Sequence, residues 1–354
     1  MAGARVAVVG AGAWGTTLAR VVAQVEPVTL LCHSPESAAR IAETGRNEAR
    51  LPGVDLPASV HATADVAALL DATDLVIFAA PSAHLRTTVA TVAPFLVPGV
   101  DVLSVVKGLE QGTLLRMSEV IAEASSVPGA RIAALSGPNL AAEVARNLPA
   151  SAVVAAADLV LAERVAARLS RRRFRLYVNE DILGVELCGA LKNVVAVAAG
   201  AADALGFGDN GKAGLLTRGL AEMTRLGIAA GANPLTFAGL AGMGDLIATC
   251  GSRLSRNHRL GEELANGRTW AEIEATMSGT AEGAYTVRAA LELAERLGVE
   301  MPIAREVERA LFEGKSVKRC LVDLLARESK DELADYGRWM ARLEAAEERP
   351  AVPE

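Results

Sequence analysis

Lys192 stands in the middle of LCGALKNVVAVAAG (187–200), an almost continuously apolar run that reads as a buried helix. Taking an ammonium group out of water without a partner costs on the order of several kcal/mol. Such a lysine either snorkels to water along its own stem or faces a cavity where its charge is used. Desolvation disfavours the charged form, which suits a general acid–base group working near neutrality. A second lysine, Lys107, follows the apolar run DVLSVV (101–106) and precedes Gly108. A cation at the carboxyl end of a strand, beside a glycine, suits an anion or a hydroxyl; an exposed loop lysine is the plain alternative.

Three further stretches carry polar groups in suggestive settings. GLAGMGDL (239–246) packs three glycines ahead of Asp245, a loop that allows close backbone approach. In SRN (255–257), which precedes the helical pattern HRLGEELANG, Ser255 or Asn257 can cap the helix and Arg256 can fork onto phosphate oxygens. Glu282 and Gly283 open the next helical pattern and, by spacing alone, are no more than a cap.

Gly10, Gly12 and Gly15 form G-x-G-x-x-G in VVGAGAWG, directly after an apolar run and before a helical pattern. In that context the first glycine makes the tight turn, the second admits a pyrophosphate, and the third lets helix and sheet pack closely. The helix start offers its unpaired N–H groups to the phosphates. The second run, VTLLC, ends in Cys32 and His33. A strict NAD site usually presents Asp or Glu there to the ribose 2′-hydroxyl. With no carboxylate in place, and with Arg40 or Arg46 to assist His33, the expectation is NADP, or both NADP and NAD.

The elements that must position these residues fall into two groups. Up to about residue 180, short runs (RVAVVG, VTLLC, DLVIFAA, DVLSVV, RIAAL, SAVVAA, FRLYV) alternate with helical segments. Continuous rather than alternating hydrophobicity predicts a parallel sheet covered on both faces, doubly wound by right-handed crossovers. After about 180 only helical patterns follow, at 181–205, 212–230, 258–266, 282–297, 303–313 and 316–327. The expected organisation is α/β: a Rossmann-type dinucleotide-binding domain over 1–180 and an all-helical substrate domain over 181–330. A charged tail, 331–354, is expected to be partly disordered.

Composition narrows the classes. The chain has 354 residues and a net charge of −6, which argues against a nucleic-acid or anionic-membrane partner. The dense basic run RLSRRRF (168–174) reads as a solvated helix end or loop, with an anion patch as the alternative. Four scattered cysteines without a C-x-x-C pair, and no signal-peptide pattern, predict reduced thiols in the cytoplasm. The four histidines lack metal-ligand spacing, and no membrane span is expected.

GAGAWGTTLA, KGLE, SGPNLAAEVA, ELCGALKNVVAVAAG, AGMGDLIATC and SRNHRLG occur in that order. Together, over roughly residues 4–330, the chain resembles the bacterial NAD(P)-dependent glycerol-3-phosphate dehydrogenases. The resemblance implies hydride transfer between NAD(P)H and dihydroxyacetone phosphate, giving sn-glycerol 3-phosphate for phospholipid synthesis, and a homodimer. It implies that Lys192 donates and accepts the proton. Substrate contacts carry over to Lys107, Gly137, Asn139, Lys192, Asp245, Ser255, Arg256 and Asn257. Cofactor contacts carry over to Gly10, Gly12, Ala13, Trp14, Gly15, His33, Lys107, Ala141, Arg256 and Glu282. Lys107 is expected to favour deprotonation of Lys192, and Asp245 to oppose it and hold the ammonium in place. Two positions depart from the family pattern: Asn139 replaces a Ser or Thr, and Arg50 in NEARLPG replaces a Tyr. The competing readings are a ketopantoate reductase-like enzyme and a nucleotide sensor without turnover; intact Lys192 and Asp245 disfavour the sensor, and the SRN helix start favours a phosphorylated substrate.

Overall fold

A computed structural model describes residues 5–277 and 279–328. The expected tail, 331–354, lies outside the described residues. The first part of the chain runs β1 (Val6–Val9), α1 (Ala13–Val22), β2 (Val28–Leu31), α2 (Pro35–Thr44), β3 (Val60–Thr63), β4 (Leu75–Phe78), α3 (Leu85–Val92) and β5 (Asp101–Ser104). It continues with α4 (Met117–Ser125), β6 (Ile132–Ser136), α5 (Ala141–Ala145), β7 (Ala150–Ala155), α6 (Leu159–Leu169) and β8 (Phe174–Asn179).

These strands form one sheet in the order β3-β2-β1-β4-β5-β6-β7-β8. β1, β2, β4 and β5 are buried along their whole length, as their unbroken apolar character requires. Separate apolar clusters cover the two faces of the sheet. Strand order reverses beside β1, whose neighbours are β2 and β4, so a crevice opens at their carboxyl ends. Two details differ from the sequence expectation. β3 is an additional strand, VHAT, half-polar because it lies at the sheet edge. β7 runs antiparallel to β6, so the sheet is mostly rather than wholly parallel.

The remaining helices are α7 (Ile182–Ala204), α8 (Gly208–Ala230), α9 (Pro234–Ala238), α10 (Asp245–Gly251), α11 (Arg256–Ala265), α12 (Trp270–Thr276), α13 (Glu282–Arg296), α14 (Pro302–Phe312) and α15 (Val317–Leu325). α9, α10 and α12 are short helices absent from the periodicity reading, since one or two turns leave too little pattern to detect. α7 is the axis of this half. Asp181 caps it by accepting from Gly184 N at 2.8 Å, and every residue from Gly184 to Val197 is buried. α7 is long and apolar enough to cross a membrane, but here it is the core helix against which α8, α10, α11 and α13 pack. All four cysteines are free and buried.

The α7–α11 crossing is unusually close because it is built on glycine. A Cβ on Gly200 would overlap the His258 carbonyl, and a Cβ on Gly261 would overlap the Val197 carbonyl oxygen. Backbone cannot yield there as a flexible side chain would. Gly261→Ala should therefore push the helices apart and destabilise the protein by about 1–3 kcal/mol, the usual cost of overpacking. Thermal unfolding checks this: an unchanged Tm would mean that the crossing adjusts freely.

Candidate active site

The three chemically loaded side chains converge. Asp245, 2% exposed, stands between Lys107 from the sheet half and Lys192 from α7. Lys107 Nζ donates to Asp245 Oδ2 at 2.6 Å, to Asn139 Oδ1 at 3.0 Å and to the Gly137 carbonyl at 3.2 Å. Lys192 Nζ donates to Asp245 Oδ1 at 3.0 Å and to Thr249 Oγ1 at 2.6 Å. One carboxylate thus holds two ammonium groups, and neither lysine snorkels to bulk water.

Local sequence explains each placement. Lys107 lies three residues beyond β5 at the ligand-facing edge of the sheet. Gly137, with φ at 141°, turns the chain after β6 where a Cβ would strike Ala152. A single π-turn over Leu240–Gly244 precedes α10 and delivers Asp245 into its first turn; such irregular turns are frequent at functional sites. Thr249 follows Asp245 by four residues on the same helix and donates to it at 3.2 Å. Sequence reading passed over Thr249, although the D-x-x-x-T spacing puts both residues on one helix face.

Electrostatics follow from burial and proximity. Burial alone would raise the pKa of Asp245, but the two ammonium groups outweigh it and hold the carboxyl below its ordinary range. Burial pulls Lys107 down to about 8; Asp245 opposes that shift and Lys192 adds to it.

The flanks of the site supply two further features. The N–H groups of Ala13, Trp14 and Gly15 open α1 without intrahelical acceptors. Gly10 and Gly15 are tightly packed, whereas a Cβ on Gly12 would meet nothing within 4 Å. That combination leaves open space over a helix start, the cradle a pyrophosphate requires. The Trp14 ring packs edge-on to Phe174 at 6.1 Å, so this residue faces the cradle through its backbone. His33 is exposed just past β2. Arg46 is committed to Asp55 at 2.6 Å and so is not free to assist His33. Ala141 begins α5, and its carbonyl accepts from Thr17 Oγ1 at 3.1 Å, fixing α5 to α1. Asn47, also unmarked by sequence reading, donates to the Ala11 carbonyl and Thr16 Oγ1 and ties the loop bearing Arg50 to the glycine turn.

On the other flank, Ser255 is the cap of α11, accepting from His258 N at 3.2 Å. Asn257 is not the cap. Its Nδ2 donates to Asn193 Oδ1 at 2.8 Å and its Oδ1 accepts from Gly283 N at 2.9 Å, linking α7, α11 and the start of α13. Arg256 lies exposed at the start of α11 against Gly279, where any Cβ would overlap the guanidinium. Glu282 is not a cap: it is the first residue of α13, after Ala281, and its carboxylate accepts from both the N–H and the hydroxyl of Ser82, joining α13 to the loop after β4. Glu186 on α7 accepts from Arg116 at 2.6 Å and from Ser118 N at 2.8 Å, a further tie between the halves.

Both halves of the chain match models of one protein family. Residues 5–162 match a model described as NAD-dependent glycerol-3-phosphate dehydrogenase N-terminus, and residues 181–322 match the corresponding C-terminus. The chain belongs to the NAD-dependent glycerol-3-phosphate dehydrogenase family. It is 48% identical over 329 residues to a protein of Streptomyces griseus named glycerol-3-phosphate dehydrogenase [NAD(P)+], covering 93% of this chain and 98% of that one. A Thermobifida fusca protein of the same name is 47% identical over 330 residues, covering 93% of this chain and 98% of the relative. The crystal structure of glycerol-3-phosphate dehydrogenase from Coxiella burnetii superposes with a TM-score of 0.87 at 35% identity, covering 92% of this chain and all of that one. A ketopantoate reductase from Ralstonia eutropha, at 18% identity and a TM-score of 0.56, shares the fold.

A Lys107 pKa of about 8 has a consequence for anion binding. The ammonium loses its charge as pH rises through that value, so affinity for a phosphorylated ligand should fall by up to about tenfold between pH 7 and 9. Titrations across that range, repeated with Lys107→Arg, test this. The arginine variant should show a flatter profile; parallel profiles would remove Lys107 as the titrating group.

Proposed function

We propose that this protein interconverts dihydroxyacetone phosphate and sn-glycerol 3-phosphate with NADPH or NADH, and that Lys192 moves the proton. The observation that carries this reading is the buried Lys107–Asp245–Lys192 cluster, which joins the half that holds the glycine turn after β1 to the half in which Arg256 begins α11. The residues that would hold the cofactor are Gly10, Gly12, Ala13, Trp14 and Gly15 at the phosphates, His33 at the ribose end, and Lys107, Ala141, Arg256 and Glu282 around the remainder. When bound, the nicotinamide supplies or accepts the hydride.

The protein's own groups account for the other requirements. The substrate phosphate rests on Arg256 and the first N–H groups of α11, with Ser255 and Asn257 shaping that helix start. This remote anchor positions the ketone at the cluster. The Asn139 amide nitrogen is buried without a hydrogen-bond partner among the described residues, which suits a substrate oxygen beside Lys107 and Gly137. Hydride addition builds negative charge on the carbonyl oxygen. Lys192 then gives that oxygen a proton, while Lys107 stabilises the developing charge. Asp245 and Thr249 aim the Lys192 amine, and in the reverse direction neutral Lys192 takes the proton back. Supply of glycerol 3-phosphate to lipid synthesis, a cytoplasmic setting and a homodimer belong to the same reading.

Steady-state kinetics separate the roles. Lys192→Ala should lower kcat by about 10²–10⁴-fold, the range for losing a proton-transfer group, with a smaller effect on KM. Arg256→Ala should chiefly raise the KM for the phosphorylated substrate. Equal behaviour of the two variants would refute this division. Loss of nicotinamide absorbance with ketopantoate but not with dihydroxyacetone phosphate would move the assignment to the other reductase.

A further inference from the structure

The basic run 168–174 takes no part in the active site, and it folds into the wall of a separate pocket. Arg171 N donates to the Phe174 carbonyl at 2.8 Å and Phe174 N to the Arg171 carbonyl at 3.0 Å, a tight turn with Arg172 and Arg173 at its tip. The turn closes an open pocket of about 420 Å³ against Val21 and Gln24 at the end of α1 and Val144 and Asn147 at the end of α5. That volume lies within the range of small-ligand sites. Val21, Val144 and Phe174 are buried and make an apolar floor, whereas Arg172 and Arg173 are exposed. The ten residues of α1, about 15 Å of helix, separate this pocket from the glycine turn.

The charge at this turn is not spent within the fold. Arg171 Nε donates to the Val21 carbonyl at 3.1 Å, and its Nη1 to the carbonyls of Arg168 and Ser170 at 2.8 Å, which caps the ends of α1 and α6. Its Nη2 is buried without a partner among the described residues, and a buried donor left unpaired is costly. Arg173 Nη1 donates to the Asn147 carbonyl at 3.1 Å. Among the described residues no carboxylate pairs with Arg171, Arg172 or Arg173, and none lines the pocket. Glu26 is the carboxylate whose charge reaches Arg171, but it does not offset that group's burial and is itself paired with Arg168 at 3.5 Å. Helix ends carry at most about half a negative charge each, so capping accounts for Arg171 and leaves the other two charges over. We propose that this pocket binds a small phosphorylated molecule, gripped by the forks of Arg172 and Arg173 and by the Gln24 amide. Guanidinium forks match phosphate oxygens in pairs. Two unspent charges suit the dianion of a phosphate monoester better than a single carboxylate, and the apolar floor takes the uncharged remainder of the ligand.

Calorimetric titration of the full chain with phenyl phosphate, at constant ionic strength and with NADPH saturating the glycine cradle, tests the proposal. Arg172→Gln with Arg173→Gln should weaken binding at one site per chain by about tenfold or more, as for loss of hydrogen bonds to a charged group. Arg172→Gln alone, at a side chain with no hydrogen bond among the described residues, should already weaken it. Both variants should keep the kcat, KM and Tm of the unaltered chain, since the pocket lies at the far end of α1 from the cradle. Equal binding by the unaltered chain and the double variant would overturn the proposal, because the ligand would then sit at the active site or elsewhere. Absence of binding to the unaltered chain would overturn it as well.

Discussion

A carboxylate almost wholly removed from water, with an ammonium group against each of its oxygens, is the interaction on which this structure turns. Burial of any one of the three charges alone would cost several kcal/mol, and removal of one partner from such a set is correspondingly severe, about 3–5 kcal/mol. Together they leave one net positive charge among largely buried groups, where electrostatic interactions are stronger than in water. Because Lys107 comes from the sheet half, and Asp245 and Lys192 from the helical half, the cluster also joins the two parts of the molecule. Glu186 with Ser118, and Glu282 with Ser82, repeat that pattern with carboxylates from the helical half on groups of the sheet half.

The architecture around the cluster consists largely of means for bringing backbones close. Glycines at the α7–α11 crossing let the two helices touch, so the helix that carries Lys192 and the helix that begins with Arg256 have a fixed spacing. The Asn193–Asn257–Gly283 chain of hydrogen bonds adds the start of α13 to the same rigid unit. In the proposed reaction this frame would hold the proton-transfer group and the phosphate anchor at one spacing, as a single-carbon hydride transfer demands. The dinucleotide cradle is set independently by the sheet, at the reversal of strand order beside β1.

Much of this was legible before any coordinates. Unbroken apolar runs bounded by turn residues announced a buried sheet, and the glycine fingerprint marked the tight turn between β1 and α1. A lysine inside LCGALKNVVAVAAG announced a buried charge that needs a partner, and Asp245 is that partner. The edge strand β3 escaped notice because VHAT is half-polar, and the reversed direction of β7 has no signature in composition. Thr249 and Asn47 were invisible for another reason: their roles depend on partners 57 and 31 residues away. By spacing alone Asn257 and Glu282 read as helix-start residues, whereas tertiary contacts give both of them bridging positions.

The negative charge of Asp245, and not merely its shape, holds the two lysines in place. Asp245→Asn preserves the shape while removing the charge. If the claim is right, turnover of dihydroxyacetone phosphate should fall by about 10²-fold or more, as for loss of a preorganised electrostatic group. NADPH affinity should change little, because the glycine cradle is untouched. Near-native turnover by the asparagine variant would contradict the account, since both lysines would then be competent without the carboxylate between them.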